Sequence, residues 1–110
     1  MLRGGELIAP GEDINSQDGR YHFSYQRDGN LVLYDQNWRP LWASNTQFTE
    51  PGSVDMQGDG NLVIYDANNV GLWASGTHAH DDAYLVVQND GNVVIYSVDG
   101  QALWSTDTGQ

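Results

Sequence analysis

The chain has 110 residues, four Arg, no Lys and fifteen Asp plus Glu, for a formal net charge of −11 and a pI near 4.1. A nucleic-acid binder needs cations to neutralise phosphates, and an anionic membrane surface would repel such a chain. No apolar run approaches the length of a membrane-spanning helix, and no cysteine is present for a disulfide, a thiol nucleophile or a thiolate metal site.

The opening Met1-Leu2-Arg3-Gly4-Gly5-Glu6 lacks the apolar stretch of a secretory signal, which fits a cytosolic protein or the mature form of an exported one. From residue 18 onward the chain repeats at a period of 31, in blocks 18–48, 49–79 and 80–110. Identical in all three are Gln26/57/88, Asp28/59/90, Gly29/60/91, Asn30/61/92, Val32/63/94 and Tyr34/65/96, followed by Leu41/72/103, Trp42/73/104 and Thr46/77/108. Three copies are too few for a long solenoid, so a closed three-fold arrangement is expected. Residues 1–17 stand outside the repeat and are expected to supply an N-terminal strand that completes a single domain spanning 1–110.

Each unit reads as strands. Tyr21–Gln26 alternates, Asn30–Tyr34 is β-branched and aromatic, and Pro40–Ser44 is a third short run. Turn clusters such as Gln36-Asn37 and Asn68-Asn69 separate them, and no window carries a helical apolar period. The chain is therefore expected to be all-β.

Hydrophobic pattern decides the register of the first hairpin. A two-residue loop at Asp28-Gly29 would pair Gln26 with Leu31 and mix the faces. A three-residue loop, Arg27-Asp28-Gly29, gathers Phe23, Tyr25, Leu31 and Leu33 on one face. Ser24, Gln26, Asn30, Val32 and Tyr34 then fall on the other, with Gly29 in the left-handed position that closes the loop. Unit two sorts alike: Val54, Met56, Leu62 and Ile64 lie opposite Gln57, Asn61, Val63 and Tyr65.

Turn chemistry alone accounts for Asp28, Gly29 and Asn30, but it does not require Gln26 or Tyr34. Gln and Asn offer an acceptor and a donor, Asp accepts, and a Tyr hydroxyl does both. Such a set reads the orientation of adjacent sugar hydroxyls, with Val32 available to the C–H patch of the ring, and rejects an epimer that leaves its polar groups unpaired.

The stretches Gln26–Tyr34, Gln57–Tyr65 and Gln88–Tyr96 each match Q-x-D-x-N-x-V-x-Y, and the chain thereby resembles the monocot mannose-binding, bulb-type lectin family over nearly its whole length. The resemblance implies a β-prism II fold, with three four-stranded antiparallel sheets about a pseudo-three-fold axis and the repeated Trp in a shared core. It implies mannose hydrogen-bonded by Gln26, Asp28, Asn30 and Tyr34, by Gln57, Asp59, Asn61 and Tyr65, and by Gln88, Asp90, Asn92 and Tyr96. Val32, Val63 and Val94 would make the apolar contacts. The implied partners are mannose, high-mannose glycans or mannans, bound without metal or other cofactor. A homodimer formed by exchange of a C-terminal strand near Ala102–Thr108 is also implied, although a charge of −11 opposes close association unless the acids point away. The chain departs from plant members in lacking both their disulfide and their signal peptide, and so resembles the cytosolic or non-plant branches more. In unit three, Tyr84 is expected across from Tyr96, where the other units hold His22 and Ser53.

Trp38 aligns with Asn69 and Gly100, so symmetry does not require it. Packing against residues 1–17 is expected, with a subunit contact or an added sugar platform as alternatives. His78, His80, Asp81 and Asp82 have metal-ligand side chains but no second cluster, and read as a solvated loop. An enzyme is not expected: one carboxylate per motif on an open face does not make an acid–nucleophile pair. The competing reading is an assembly or protein-recognition module with vestigial sugar sites.

Overall fold

Each 31-residue unit folds into three consecutive antiparallel strands, as the alternation and turn signals require. A computed structural model describes residues 1–109; Gln110, the last residue of the third repeat, lies outside the described residues. Short strands β1 (Leu7–Ile8) and β2 (Asp13–Asn15) precede the repeats. Unit one forms β3 (His22–Tyr25), β4 (Leu31–Tyr34) and β5 (Pro40–Ala43). Unit two forms β6 (Pro51–Met56), β7 (Leu62–Asp66) and β8 (Gly71–Ala74), and unit three β9 (Tyr84–Val87), β10 (Val93–Tyr96) and β11 (Ala102–Ser105). Among the described residues there is no helix. The architecture is a β-prism II fold.

Residues 1–17 complete the prism as three short pieces, one on the outer edge of each sheet, where a single strand was expected. Leu2 bridges Leu85 of the third sheet through reciprocal 2.8 Å backbone bonds, β1 pairs with β6, and β2 pairs with β3. The first and second sheets thus have four full strands, while the fourth position of the third sheet is held by Leu2 alone. This segment gives each sheet partners for N–H and C=O groups that would otherwise lie along an open edge.

The register follows the three-residue loop. Tyr25 pairs with Leu31, Ser24 with Val32, Phe23 with Leu33 and His22 with Tyr34. The loop is closed by Gln26 N–H to Asn30 O at 2.8 Å and Gly29 N–H to Gln26 O at 3.0 Å. Gly29, Gly60 and Gly91 have φ of 93°, 94° and 91°. The expected apolar faces meet in the centre of the prism: Phe23, Tyr25, Leu31 and Leu33, then Val54, Met56, Leu62 and Ile64, then Leu85, Val87, Val93 and Ile95, all buried. Burying each such side chain contributes about 1.5–3 kcal/mol.

The adjacent Leu-Trp pair of every unit has a backbone cause. Leu33 pairs with Trp42 and Tyr34 with Pro40, leaving Leu41 as the extra residue of a bulge. The same shift recurs at Ile64/Tyr65 and Ile95/Tyr96. Regular pleating would send consecutive side chains to opposite faces; the bulge lets both Leu41 and Trp42 pack against the core. The three Trp are half-buried rather than enclosed. Trp42, Trp73 and Trp104 meet edge to face about the three-fold axis, with centroids 5.4–5.6 Å apart and interplanar angles of 73–80°.

Candidate functional site

The bulge opposite each motif Tyr and the left-handed Gly of each loop bracket one short strand, which carries the motif Val and Tyr, while the motif Gln lies across from the Asn and the Asp sits in the loop. Gln26 Nε2 donates to the Tyr34 hydroxyl, Gln57 Nε2 to that of Tyr65 at 2.6 Å, and Gln88 Nε2 to that of Tyr96. Because Gln26 sits across from Asn30 and Tyr34 across from His22, this bond passes over the intervening Val32–Ser24 pair. Val32, Val63 and Val94 are accordingly only 3%, 7% and 4% exposed. The valine is the floor of the site, beneath an amide–phenol bridge, and less open than its place on the outer face suggested.

Asp28 Oδ1 accepts from Asn30 N–H at 3.0 Å, Asp59 from Asn61 at 3.0 Å and Asp90 from Asn92 at 2.9 Å. These turns occupy one carboxylate oxygen and leave Oδ2 to face outward chemistry. The asparagine is more constrained than its inventory of groups implies. Asn61 Oδ1 accepts from Ser75 Oγ at 3.2 Å, Gly76 N–H at 3.1 Å and Thr77 N–H at 3.3 Å. Asn30 Oδ1 is held by Ser44 and Thr46, and Asn92 Oδ1 by Thr106 and Thr108. With its carbonyl engaged, each Asn presents an amide donor in a fixed direction.

The invariant Thr46, Thr77 and Thr108 belong to this lock. Each donates its hydroxyl at 2.6 Å to the carbonyl of the loop glycine, Gly29, Gly60 or Gly91. Their period was visible in the sequence, but not their role. Ser44, Ser75 and Thr106 escaped the identity pattern because the third unit substitutes Thr for Ser. Each supplies an oxygen that accepts the N–H following the motif Asn, at 3.0, 3.0 and 3.1 Å.

The three motifs are alike, but their neighbours on the same face differ. Opposite the valine stand Ser24, Asp55 and Val86; opposite the tyrosine stand His22, Ser53 and Tyr84. Tyr84 lies 5.8 Å from Tyr96, ring centroid to centroid, as its alignment led one to expect. Trp38 departs from expectation. It stacks on His22 at 4.3 Å with an interplanar angle of 8°, and lies 5.7 Å from Tyr34. Its link to residues 1–17 runs through His22, whose Nδ1 is 2.7 Å from Asn15 Oδ1. In the loop carrying His78, His80, Asp81 and Asp82, His80 turns Nδ1 toward the carbonyls of Thr77 and His78, at 3.2 and 3.0 Å. Its backbone N–H bonds Asp59 O at 2.9 Å, so that loop buttresses the second motif.

The third loop is also fastened to the segment that precedes β3. Asp18 N–H donates to Asn89 Oδ1 at 3.0 Å and Arg20 Nη2 to Asn89 O at 2.6 Å. Asp18 itself is held down at a pKa of about 2, chiefly by the Ser16 hydroxyl and then by the backbone and side chain of Arg20.

Three sheets about an axis, each with the same neutral amides, one carboxylate and one phenol, make a β-prism that repeats a single polar constellation three times. No family model matches the chain. A monomeric monocot mannose-binding lectin from Gastrodia elata is 41% identical, with a TM-score of 0.91 over 99% of this chain and 97% of that one. The mannose-specific agglutinin of snowdrop, Galanthus nivalis, solved with methyl-α-D-mannoside, is 40% identical with a TM-score of 0.80, covering 99% of this chain and 96% of that one. The mannose-specific lectin of Narcissus pseudonarcissus is 52% identical over 46 residues, 42% of this chain and 39% of the relative; the chain spans less than half the length of the curated relatives it matches. The chain belongs to the monocot mannose-binding, bulb-type lectin family.

Proposed function

We propose that the chain, as one three-site domain, binds α-D-mannose and mannose-rich glycans without a metal. The observation that carries this reading is the threefold recurrence of one hydrogen-bonding geometry: an Asn whose carbonyl is clamped, an Asp with one oxygen committed to its turn, and a Gln bonded to a Tyr hydroxyl. Asn30 Nδ2 donates, Asp28 Oδ2 accepts, and the Tyr34 hydroxyl, having accepted from Gln26, has its own proton to give. Gln26 keeps an acceptor oxygen and a second amide hydrogen. One sugar hydroxyl between Asp28 and Asn30 both donates and accepts, so an epimer with that hydroxyl turned away leaves a carboxylate and an amide unpaired, at a cost of about 1–3 kcal/mol. Gln57, Asp59, Asn61 and Tyr65, and Gln88, Asp90, Asn92 and Tyr96, take the same roles. Val32, Val63 and Val94 shape the floor.

Each site lies on an open sheet face and buries little of a monosaccharide, so single-site affinity is weak and useful avidity comes from several sites on one branched glycan. The chain is a binding protein rather than an enzyme, and its acidity is no obstacle to a neutral polysaccharide. Strand β11 pairs with β10 of its own chain, so no partner is needed to complete the third sheet. Exchange of that strand between two copies would form a homodimer with the same contacts and twice the sites.

The test is titration with methyl α-D-mannoside, followed by amide NMR. Three separate sets of shifts, around residues 26–34, 57–65 and 88–96, are expected. Asn30→Ala, Asn61→Ala and Asn92→Ala should each silence one set. If the folded triple variant binds as the parent does, the assignment is wrong.

A further inference from the structure

Symmetry makes the environment of Trp38 stand out. The turn that joins β4 to β5 has equivalents in the other units, and the aligned residues Trp38, Asn69 and Gly100 all take left-handed backbone, with φ of 61°, 62° and 87°. Gly and Asn adopt that conformation readily, whereas for a bulky indole it is an outlier. Strain of this kind persists only where surrounding contacts hold the residue in place. Here the contact is a parallel stack on His22, 4.3 Å between centroids, and His22 is itself fixed by Asn15 Oδ1 at 2.7 Å. The stack occupies one face of the indole, yet Trp38 remains 59% exposed, so much of its ring surface is open to solvent. It also stands 5.7 Å from Tyr34, the motif residue at one end of the first site. The aromatic surface is therefore continuous with that site.

We propose that Trp38, backed by His22, is a subsite for the next sugar residue of an oligosaccharide whose first residue occupies the site of Gln26, Asp28, Asn30 and Tyr34. A pyranose ring presents a face of C–H groups, and an exposed indole beside a hydrogen-bonding site is the surface that such a face stacks upon. Asn69 and Gly100 give the corresponding turns no ring, so the first site alone discriminates a disaccharide from a monosaccharide by this means. Three sites with identical motifs thereby acquire unequal specificity. This inference rests on the mannose reading above.

The experiment isolates the first site in an Asn61→Ala/Asn92→Ala background. Calorimetric titrations compare methyl α-D-mannoside with α1,2-, α1,3- and α1,6-linked mannobiose, before and after Trp38→Asn. Asn69 already occupies the equivalent turn at nearly the same φ, so this substitution suits the backbone. At least one mannobiose is expected to bind about threefold to tenfold more tightly than the monosaccharide, the range of a single aromatic contact, and to shift the fluorescence of the exposed tryptophan. Trp38→Asn should abolish that advantage and leave methyl mannoside affinity unchanged. The inference is overturned if no mannobiose has an advantage, or if the advantage survives the substitution. Failure of methyl mannoside to bind the folded protein would instead overturn the mannose reading, and the subsite with it.

Discussion

Removing the hydroxyl of Thr77 perturbs the second site without touching any side chain proposed to meet sugar. Thr77 is buried, its Oγ1 donates to Gly60 O at 2.6 Å, and it shares a 2.7 Å bond with Ser75 Oγ. Thr77→Val keeps the shape and deletes the donor. Ser75 Oγ still contacts Asn61 Oδ1 and the Leu62 N–H, so the principal loss is at the Gly60 carbonyl. An unpaired buried acceptor costs about 1–3 kcal/mol, which a domain of ordinary stability, about 5–15 kcal/mol, survives. At about 4 °C per kcal/mol for a chain of this size, the melting temperature should fall by about 4–12 °C. The loop Gly58-Asp59-Gly60 loosens at the same time, so methyl mannoside should bind the second site more weakly while the first and third keep their affinity. Thermal melts and site-resolved NMR titration measure both effects. A melting temperature within 1 °C of the parent (about 0.25 kcal/mol), with all three sites intact, would refute the claim that this hydroxyl holds the loop.

Gly60→Ala should destabilise by more than about 1–2 kcal/mol, since its φ is 94° and a Cβ would lie 2.3 Å from His80 O; Gly58→Ala, with open space around it, should be close to neutral, and equal denaturation midpoints for the two would contradict this. Ile8→Ala removes a fully buried side chain that residues 1–17 contribute to the core, and should cost about 2–5 kcal/mol in urea denaturation; a loss below about 0.5 kcal/mol would show that the segment is dispensable. The Asp18 carboxyl, by carboxylate NMR, should titrate near 2 rather than at the ordinary aspartate value of 3.8. Because the folded value is depressed, its contribution is fully present above the unfolded value and lost as pH falls through the folded one. The Asp18–Arg20 clasp on Asn89 should therefore open only in strong acid; a midpoint near 3.8 would mean that the Ser16 and Arg20 bonds do not persist in solution.

Hairpin register was legible because an alternating pattern tolerates only one loop length: slipping Gln26 against Leu31 would have put Leu31 and Leu33 on the face opposite Phe23 and Tyr25. The motif was legible because its members lie within nine residues and recur three times. What escaped was set at longer range. Asn61 finds its carbonyl donors 14–16 residues downstream, so nothing local marks its amide as the one free group. The bulge that turns both Leu41 and Trp42 inward depends on pairing with β4, and period-two reasoning along the chain has no term for it. Residues 1–17 carry no repeat, yet they split into three edge pieces because three sheets each need a partner. Trp38 was conspicuous only as a break in symmetry, and its stack on His22 needed the fold to bring the two together.

The most direct measurement is retention on immobilised mannan in EDTA, with mannose and galactose as separate eluants. Retention, elution by mannose and indifference to galactose are expected from three metal-free, epimer-selective sites. A folded protein that passes through unretained, or that galactose releases as well as mannose does, would contradict the account.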